Sequence, residues 1–515
     1  MPFEGASLRR LFLAAAAAVL LTGSAVADTR PQAAPPPSSQ ESFDLAIQEV
    51  GADLQKGDYA HAREVLERAR RSPYFAKAPA PMRHAIALMI AGIATDAKDW
   101  PAARAAIIEA SEMADAGKED WLLRLQIAAA SGDKAGAVSA LTTLATRYPE
   151  TVATLPDETI AYELNAARRL PDGEARVFAL ADALFAKWKP QNPFEDLSGE
   201  RADYVLGLLA RNRLADAEAA ARLITKDEVL IGMRADKRFD KVDEGAPDRL
   251  SPKTGSLARL KAVDALLAAH GDRISGPTAK AEALMDLGRF SEALTVIDAA
   301  LARANSAPDG FVDLETRLGW AHNVRNQILS QMGRREEAIE ALEIGARTPE
   351  NGRPNVNQTL NLGAAQMTAG RSKAALATVG SVRLDHMSPY GRAVALKITV
   401  CAASDLGDKD TAQTALKTLR DLGDEAKGNT LDALLCVNDL DAAAAVVIKR
   451  LGSPDLRRAM LLTLQDTPSL PNQTAYDAAR AAGRAALRKR PDVVAAIEPV
   501  GRILHYRLED LWQVP

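Results

Sequence analysis

A pattern of small and apolar residues, clearest between Trp121 and Pro149, repeats along most of this chain. In that stretch Ala137, Leu141 and Leu144 fall at i, i+4 and i+7, one stripe of an α-helix. Trp121 to Ala130 reads as an amphipathic helix before it, and Ser131-Gly132-Asp133-Lys134 as the turn between the two. Gly132 stops the first helix at low cost, because glycine accepts the left-handed conformation that a helix end needs. Pro149 ends the second, because its ring clashes with the preceding turn. A lone helical hairpin cannot bury its stripe, so copies must stack, and chain length then counts repeats rather than compact domains. Composition points the same way. Hydrophobic residues make up 47% of the chain but aromatics only 4%, a balance that favours close-packed small helices over sheet.

The turn and the residues after it recur with recognisable spacing. Gly57-Asp58-Tyr59 is followed by Ala62, Leu66 and Ala69, and Lys98-Asp99-Trp100 by Ala103, Ile107 and Ala110. Gly288-Arg289-Phe290 precedes Ala293, Ile297 and Ala300; Gly333 precedes Ala338 and Leu342; Gly370 precedes Ala375 and Val379. Gly407 with Ala412 and Leu416, and Asn438 with Ala443 and Val447, complete the series. This set resembles the second-helix signature of the tetratricopeptide repeat. The step from Ala103 to Ala137 is 34 residues, the usual period of that repeat, although other steps run to 37, 41 and 45. The resemblance implies an all-α fold: an α-solenoid of stacked antiparallel helix pairs (a tetratricopeptide-like superhelix) with a helical C-terminal cap. The small anchor residue sits where the two helices of a pair approach most closely, so a bulky side chain there overpacks the contact.

The repeats divide the chain into an N-terminal solenoid segment at 41–235 and a C-terminal one at 256–452. A charged, Pro/Gly-rich stretch at 236–255 reads as a loop or hinge between them. Between Ala137 and Ala217 the pattern is degenerate, with Gly173 to Trp188 expected as a second helix. Residues 453–515 lack the repeat signature and read as a cap of three helices at 454–465, 474–489 and 492–511.

Residues 1–27 read as an export signal: Arg9 and Arg10, an apolar run from Leu11 to Leu21, and Ala25-Val26-Ala27 as a cleavage site. Arg9-Arg10-Leu11-Phe12-Leu13 resembles the twin-arginine motif, with Leu8 and Ala14 departing from it; a general secretory signal is the alternative. Residues 28–40 form a Pro/Ser-rich tether with nothing to pack. No later stretch offers ~18 uninterrupted apolar residues, so the chain is expected in a bacterial periplasm without an integral membrane segment. Its formal charge of −4 supplies no basic excess for nucleic acid. Two cysteines, Cys401 and Cys436, lie in the first helices of adjacent repeats. Counted from their anchor alanines they stand one helical turn out of level, which points to two buried thiols rather than a bond.

No motif for chemistry emerges. The six histidines are scattered, and there is no nucleophile elbow, phosphate loop, calcium loop or Cys-x-x-Cys. No enzyme activity, cofactor or metal is expected. In tetratricopeptide proteins the first helices line a concave groove that takes partner segments. That resemblance implies groove positions at Asn323, Gln327, Ser330 and Gln331, at Asn357, Leu360, Met367 and Thr368, at Lys397, Cys401, Ser404 and Asp405, and at Asp432, Leu435 and Cys436. Amides read peptide backbone well because each donates and accepts. Arg480, Arg484 and Arg488, four apart on one helix face, are a second candidate surface, for an acidic partner or lipid headgroups. The expected function is a protein-binding scaffold or adaptor in envelope assembly, with its protein partner and oligomeric state unidentified. A glycan-cleaving enzyme carried on a helical superhelix is the rival, with Glu41-Ser42 and Gly363-Ala364-Ala365-Gln366-Met367 as faint motif matches. A module for a small envelope ligand or polysaccharide is the third reading.

Overall fold

A computed structural model of the chain describes residues 35–246, 248–468 and 472–513. The export signal expected at 1–27, its Arg9-Arg10 pair, and residues 28–34 of the tether lie outside the described residues. What is described is all-α: stacked antiparallel helix pairs of tetratricopeptide-like form, with three isolated bridges and no strands among the described residues.

One local device repeats. At the end of each first helix a residue takes a left-handed conformation, with φ between 55° and 77° at Gly57, Lys98, Gly132, Asn212, Gly288, Gly333, Gly370, Gly407 and Asn438. The next amide then reaches back to a helical carbonyl, as Asp133 N does to Ala128 O and Asp408 N to Ala403 O (both 2.9 Å). This is the hydrogen bond that closes a helix in a Schellman motif. The same residue starts the second helix. Asp133 accepts from Gly136 N and Asp408 from Thr411 N, so one aspartate serves the turn and the next helix start. Where arginine stands instead, at Arg289 and Arg334, its charge near the positive helix end is offset by a glutamate three residues on. Arg289 bonds Glu292 and Arg334 bonds Glu337, each at 2.6 Å.

The described chain falls into two compact units that divide at Gln191 and Asn192. The first holds α1 (Gln40–Lys56), α2 (Tyr59–Arg70), α3 (Ala80–Asp96), α4 (Trp100–Ser111), α5 (Lys118–Ala130), α6 (Lys134–Arg147), a short α7 (Pro149–Val152), α8 (Asp157–Arg168) and α9 (Gly173–Lys187). Here α1/α2, α3/α4 and α5/α6 are hairpins, and each second helix packs on the next first helix. Ala62, Ala103 and Ala137 are buried at these crossings. The tether ends earlier than expected. Ser39 and Ser42 form a capping box that starts α1 at Gln40, while Ser72 Oγ donates to Pro37 O (2.9 Å) and the Tyr74 hydroxyl to Ser38 O (3.1 Å). Two hydroxyls from the loop after α2 thus tie residues 37 and 38 down, where the sequence offered nothing to pack.

The second unit holds α10 (Ser198–Ala210), α11 (Leu214–Ala221), α12 (Asp227–Ala235), α13 (Asp240–Asp243), α14 (Pro252–Ala269), α15 (Ser275–Asp286), α16 (Phe290–Ser306), α17 (Leu314–Gln331), α18 (Arg335–Arg347), α19 (Val356–Thr368), α20 (Ser372–Gly380), α21 (Pro389–Asp405), α22 (Lys409–Asp421), α23 (Asn429–Cys436), α24 (Leu440–Gly452), α25 (Pro454–Thr463), α26 (Ala475–Lys489), α27 (Pro491–Ile497) and α28 (Leu508–Leu511). Ala293, Ala338, Ala375, Ala412 and Ala443 are all buried in its hairpins.

Two readings of this unit change. Residues 236–255, expected as a loop or hinge, are packed: Phe239, Val242 and Leu250 are buried, and the buried Asp236 carboxylate holds Arg238 at 2.6 Å. Lys237 N also donates to Val500 O, and Arg502 N to Ala235 O. Residues 453–515 follow the last repeat as helices, but the third is shorter than expected and the segment makes contacts beyond the last hairpin. Helix α25 packs on α24 and on α12, so the unit's early and late helices touch. After α27 a last turn ends at Val500 and residues 501–507 run as a non-helical bridged stretch, where a helix was expected to run on to 511. Gly501 lies so close to α12 that a Cβ there would stand 2.6 Å from Ala235 O. Trp512 then seats against the Gly288 turn and packs edge-on to Phe290, with ring centroids 5.2 Å apart. Backbone pairing to residues 235–237 holds this segment non-helical, an interaction invisible to local pattern.

Burial of an acid gives a measurable signature. Glu163 on α8 is 1% exposed, its Oε2 has no hydrogen-bond partner, and burial pushes its pKa up from 4.5 to about 7. A folded-state pKa above the unfolded one means stability that is present below pH 4.5 is lost as pH rises through about 7. Glu163→Gln is therefore expected to equal wild type near pH 4.5 and to exceed it at pH 8, by up to ~3 kcal/mol in urea unfolding. Ala103→Leu, at a fully buried anchor, is expected to cost about 1–3 kcal/mol in the same assay, while leucine at the exposed Ala130 costs little.

Candidate interaction groove

The first helices α17, α19, α21 and α23 stand side by side because their partner helices hold each at its buried alanine. Of the groove positions implied by the sequence, Gln327, Ser330 and Asn357 are exposed, while Asn323, Leu360, Met367 and Cys401 are buried. Across these helices lies α26, packed on α23 and α19, and its arginine stripe faces inward. Arg480 and Arg484 both donate to a single oxygen, Asp432 Oδ1 on α23, at 2.5 and 3.0 Å. The acidic partner anticipated for this stripe is in the same chain. Arg488 turns elsewhere and bonds Asp466 at 2.9 Å.

Gly483 brings the two helices together, since a Cβ there would stand 2.8 Å from Leu435 Cδ2. One turn before Arg480, the Tyr476 ring takes the guanidinium 5.2 Å from its centroid and sets its hydroxyl 4.0 Å from Cys401 Sγ. Upstream, Asn472 sits on the turn between α17 and α18: its carbonyl accepts from Arg335 at 2.7 Å and its amide donates to Gln331 O at 3.4 Å.

The implied groove residues end in different surroundings. Asn323 is buried and accepts from Asn361 Nδ2 at 3.2 Å. Gln327 is exposed beside it, and both border a space of about 290 Å³. Gln331 leaves Oε1 buried with no hydrogen-bond partner. Asn357 is exposed near the start of α19, and Met367 is buried against Val379, Ile398 and Cys401. Asp405 accepts from Ser372 Oγ at 2.6 Å and, with Met367, borders a second space of about 510 Å³. Lys397 faces Asp432; burial lowers the ammonium pKa while that carboxylate opposes the change. For Asp432 burial acts to raise the pKa, but Arg480 and Arg484 outweigh it and hold the carboxylate below its ordinary range. Arg335, Asn361, Asn472 and Tyr476 were not singled out from sequence. Only the arginine stripe carried a signal, and its spacing said nothing of where Asp432 would be.

The cysteines correct the sequence reading. Cys401 and Cys436 form a disulfide, with Cα atoms 5.1 Å apart, on the floor of the larger space. Counting from the anchor alanine assumes that adjacent first helices pack level, and the 5.1 Å Cα separation shows that α21 and α23 are instead shifted along their axes.

The faint enzyme motifs have structural roles. Ser42 completes the cap of α1, and Gly363 is a close-packing position where a Cβ would stand 3.0 Å from Val379 Cγ2. Among the described residues, Glu49, Asp53 and His61 bring possible metal ligands within 4.8 Å of one another. His61 Nδ1 is hydrogen-bonded to Asp53 at 2.8 Å.

No family model matches the chain, and no curated protein does. Among solved structures, it is similar to the APC/C hetero-tetramer Cut9-Hcn1, at 15% identity over 89% of this chain and 91% of that one, with a TM-score of 0.29. It is also similar to Naa15/Naa10 bound to HypK-THB, at 13% identity over 90% and 80% of the two chains, with a TM-score of 0.28. At these values neither carries an argument, and the fold assignment rests on the helix pairing itself.

The bond closes a loop of 35 residues. Replacing both cysteines by serine is expected to lower stability by about 3–4 kcal/mol, measured by urea unfolding without reductant. With excess reductant the two proteins should unfold alike.

Proposed function

We propose that this chain is an exported, non-catalytic scaffold of the bacterial envelope that holds a segment of a partner protein in the groove of α17, α19, α21 and α23. The observation that carries this reading is that the groove already accepts a helix, its own α26, through side chains on successive first helices. A surface shaped to take one amphipathic helix is chemically suited to take another. Exposed Gln327 and Ser330 on α17 and Asn357 on α19 extend it with groups that donate and accept hydrogen bonds. The disulfide supports an oxidising compartment, as does the signal-like sequence at 1–27. No helix among the described residues is long and apolar enough to cross a membrane.

The test is affinity capture of the tagged chain from a periplasmic extract, comparing wild type with Gln327→Arg/Ser330→Arg. These positions are exposed, so the variant folds normally, and at least one protein held by wild type should be lost. An unchanged set of captured proteins rules out the groove.

A further inference from the structure

Helix α26 occupies the groove without filling it. It contributes one buried side chain, Leu487 near its C-terminal end, whereas neighbouring α21 contributes eight. Toward its N-terminal end the helix is held by polar contacts and one ring. The 510 Å³ space lies there, between Tyr476, Ala479 and Arg480 above and Met367, Cys401 and Leu435 below. The space is an open cleft rather than a sealed void, so it is room along the groove that α26 leaves uncovered. Polar pairing is incomplete as well: the Nε atoms of Arg480 and Arg484 are buried without a hydrogen-bond partner.

Charge points the same way. With α26 in place, Arg480 and Arg484 both hold the Asp432 carboxylate, and Lys397 adds a further positive charge nearby. With residues 472–484 withdrawn, Asp432 loses both guanidiniums and keeps the Lys397 charge nearby, so the open floor presents a carboxylate able to receive arginine. The flanks do not depend on this contact. Leu461 of α25 and Leu487, Val493 and Ile497 are buried in one cluster with Leu451 and Leu464, which anchors the chain on both sides.

We propose that residues 472–484 are an intramolecular stand-in for a partner, and that the groove is made for a basic amphipathic helix presenting an aromatic residue and two arginines at successive four-residue steps. The partner class follows from what the floor offers. Asp432 receives arginines; Leu435 requires a small residue between helices, as Gly483 supplies; and Met367 with the disulfide receives a ring. This rests on the scaffold reading and names its partner by chemistry. Displacing a covalently attached occupant makes binding selective, because a competitor must outdo a local segment of high effective concentration.

The test uses the full chain and a fluorescent peptide of residues 472–490. In Arg480→Glu/Arg484→Glu the tethered helix is repelled from Asp432, and this variant should bind the peptide at least ten-fold more tightly than wild type, read by anisotropy. Adding Asp432→Arg should abolish that binding. Hydrogen exchange on wild type is the second measurement, and it stands even if the variants do not fold. Amides of 475–484 should exchange at least ten-fold faster than those of α21. Equal peptide binding by wild type and the released variant, or equal protection of the two helices, overturns the proposal. A released variant that dimerises on a sizing column instead of binding peptide assigns the groove to a second copy and overturns the partner. If neither wild type nor the released variant captures any protein from extract, the scaffold reading fails while the peptide result stands on its own.

Discussion

The whole structure depends on how closely two helices of a pair approach. Alanine at the crossing lets the second helix settle onto the first, and the left-handed residue before it sets the angle at which the chain returns. Either feature alone is weak: many helices contain alanine, and many end in glycine. Together, at Ala103 behind Lys98 or Ala412 behind Gly407, they define a hairpin whose outer face is apolar and must be covered by the next. Asparagine and lysine take the glycine position in some repeats. The turn therefore tolerates a side chain at a cost that the buried stripe outweighs.

Stacking leaves first helices side by side with polar positions outward, and the second unit uses that surface on itself. Its C-terminal segment runs back across α23 and α19, pairs with α12 and ends against the Gly288 turn. The contacts differ in kind along this path. Leu487, Val493 and Ile497 are buried, Gly501 touches backbone, and Trp512 packs on Phe290. Across the groove itself the contacts are guanidinium to carboxylate, side chain to carbonyl, and a ring over a disulfide. Residues 472–484, between Leu464 and Leu487, are thus held more by polar contacts than by apolar burial.

The disulfide shows how one covalent link constrains such a surface. It joins first helices of adjacent repeats, 35 residues apart in sequence, and so fixes α21 and α23 relative to each other beneath Tyr476. The link holds these two helices together at the point where Tyr476 lies over them.

The hairpins, their anchor alanines and the turn residues were legible in the sequence, because each depends on residues within one repeat: Ala137 is buried for reasons that lie between Trp121 and Pro149. The arginine stripe was legible as a stripe and opaque as a contact, since Asp432 lies 48 residues before Arg480. Cys401 and Cys436 were read as out of level because sequence counts residues, whereas packing sets how far adjacent helices are shifted past each other. Residues 236–255 and 501–507 read as loop and helix because bonds that order them run between distant parts of the chain. The sequence by itself determined the unit of construction, since periodicity and turn chemistry are local. Only the tertiary structure decided which surfaces meet, because that depends on how small rotations accumulate over successive pairs until distant segments touch.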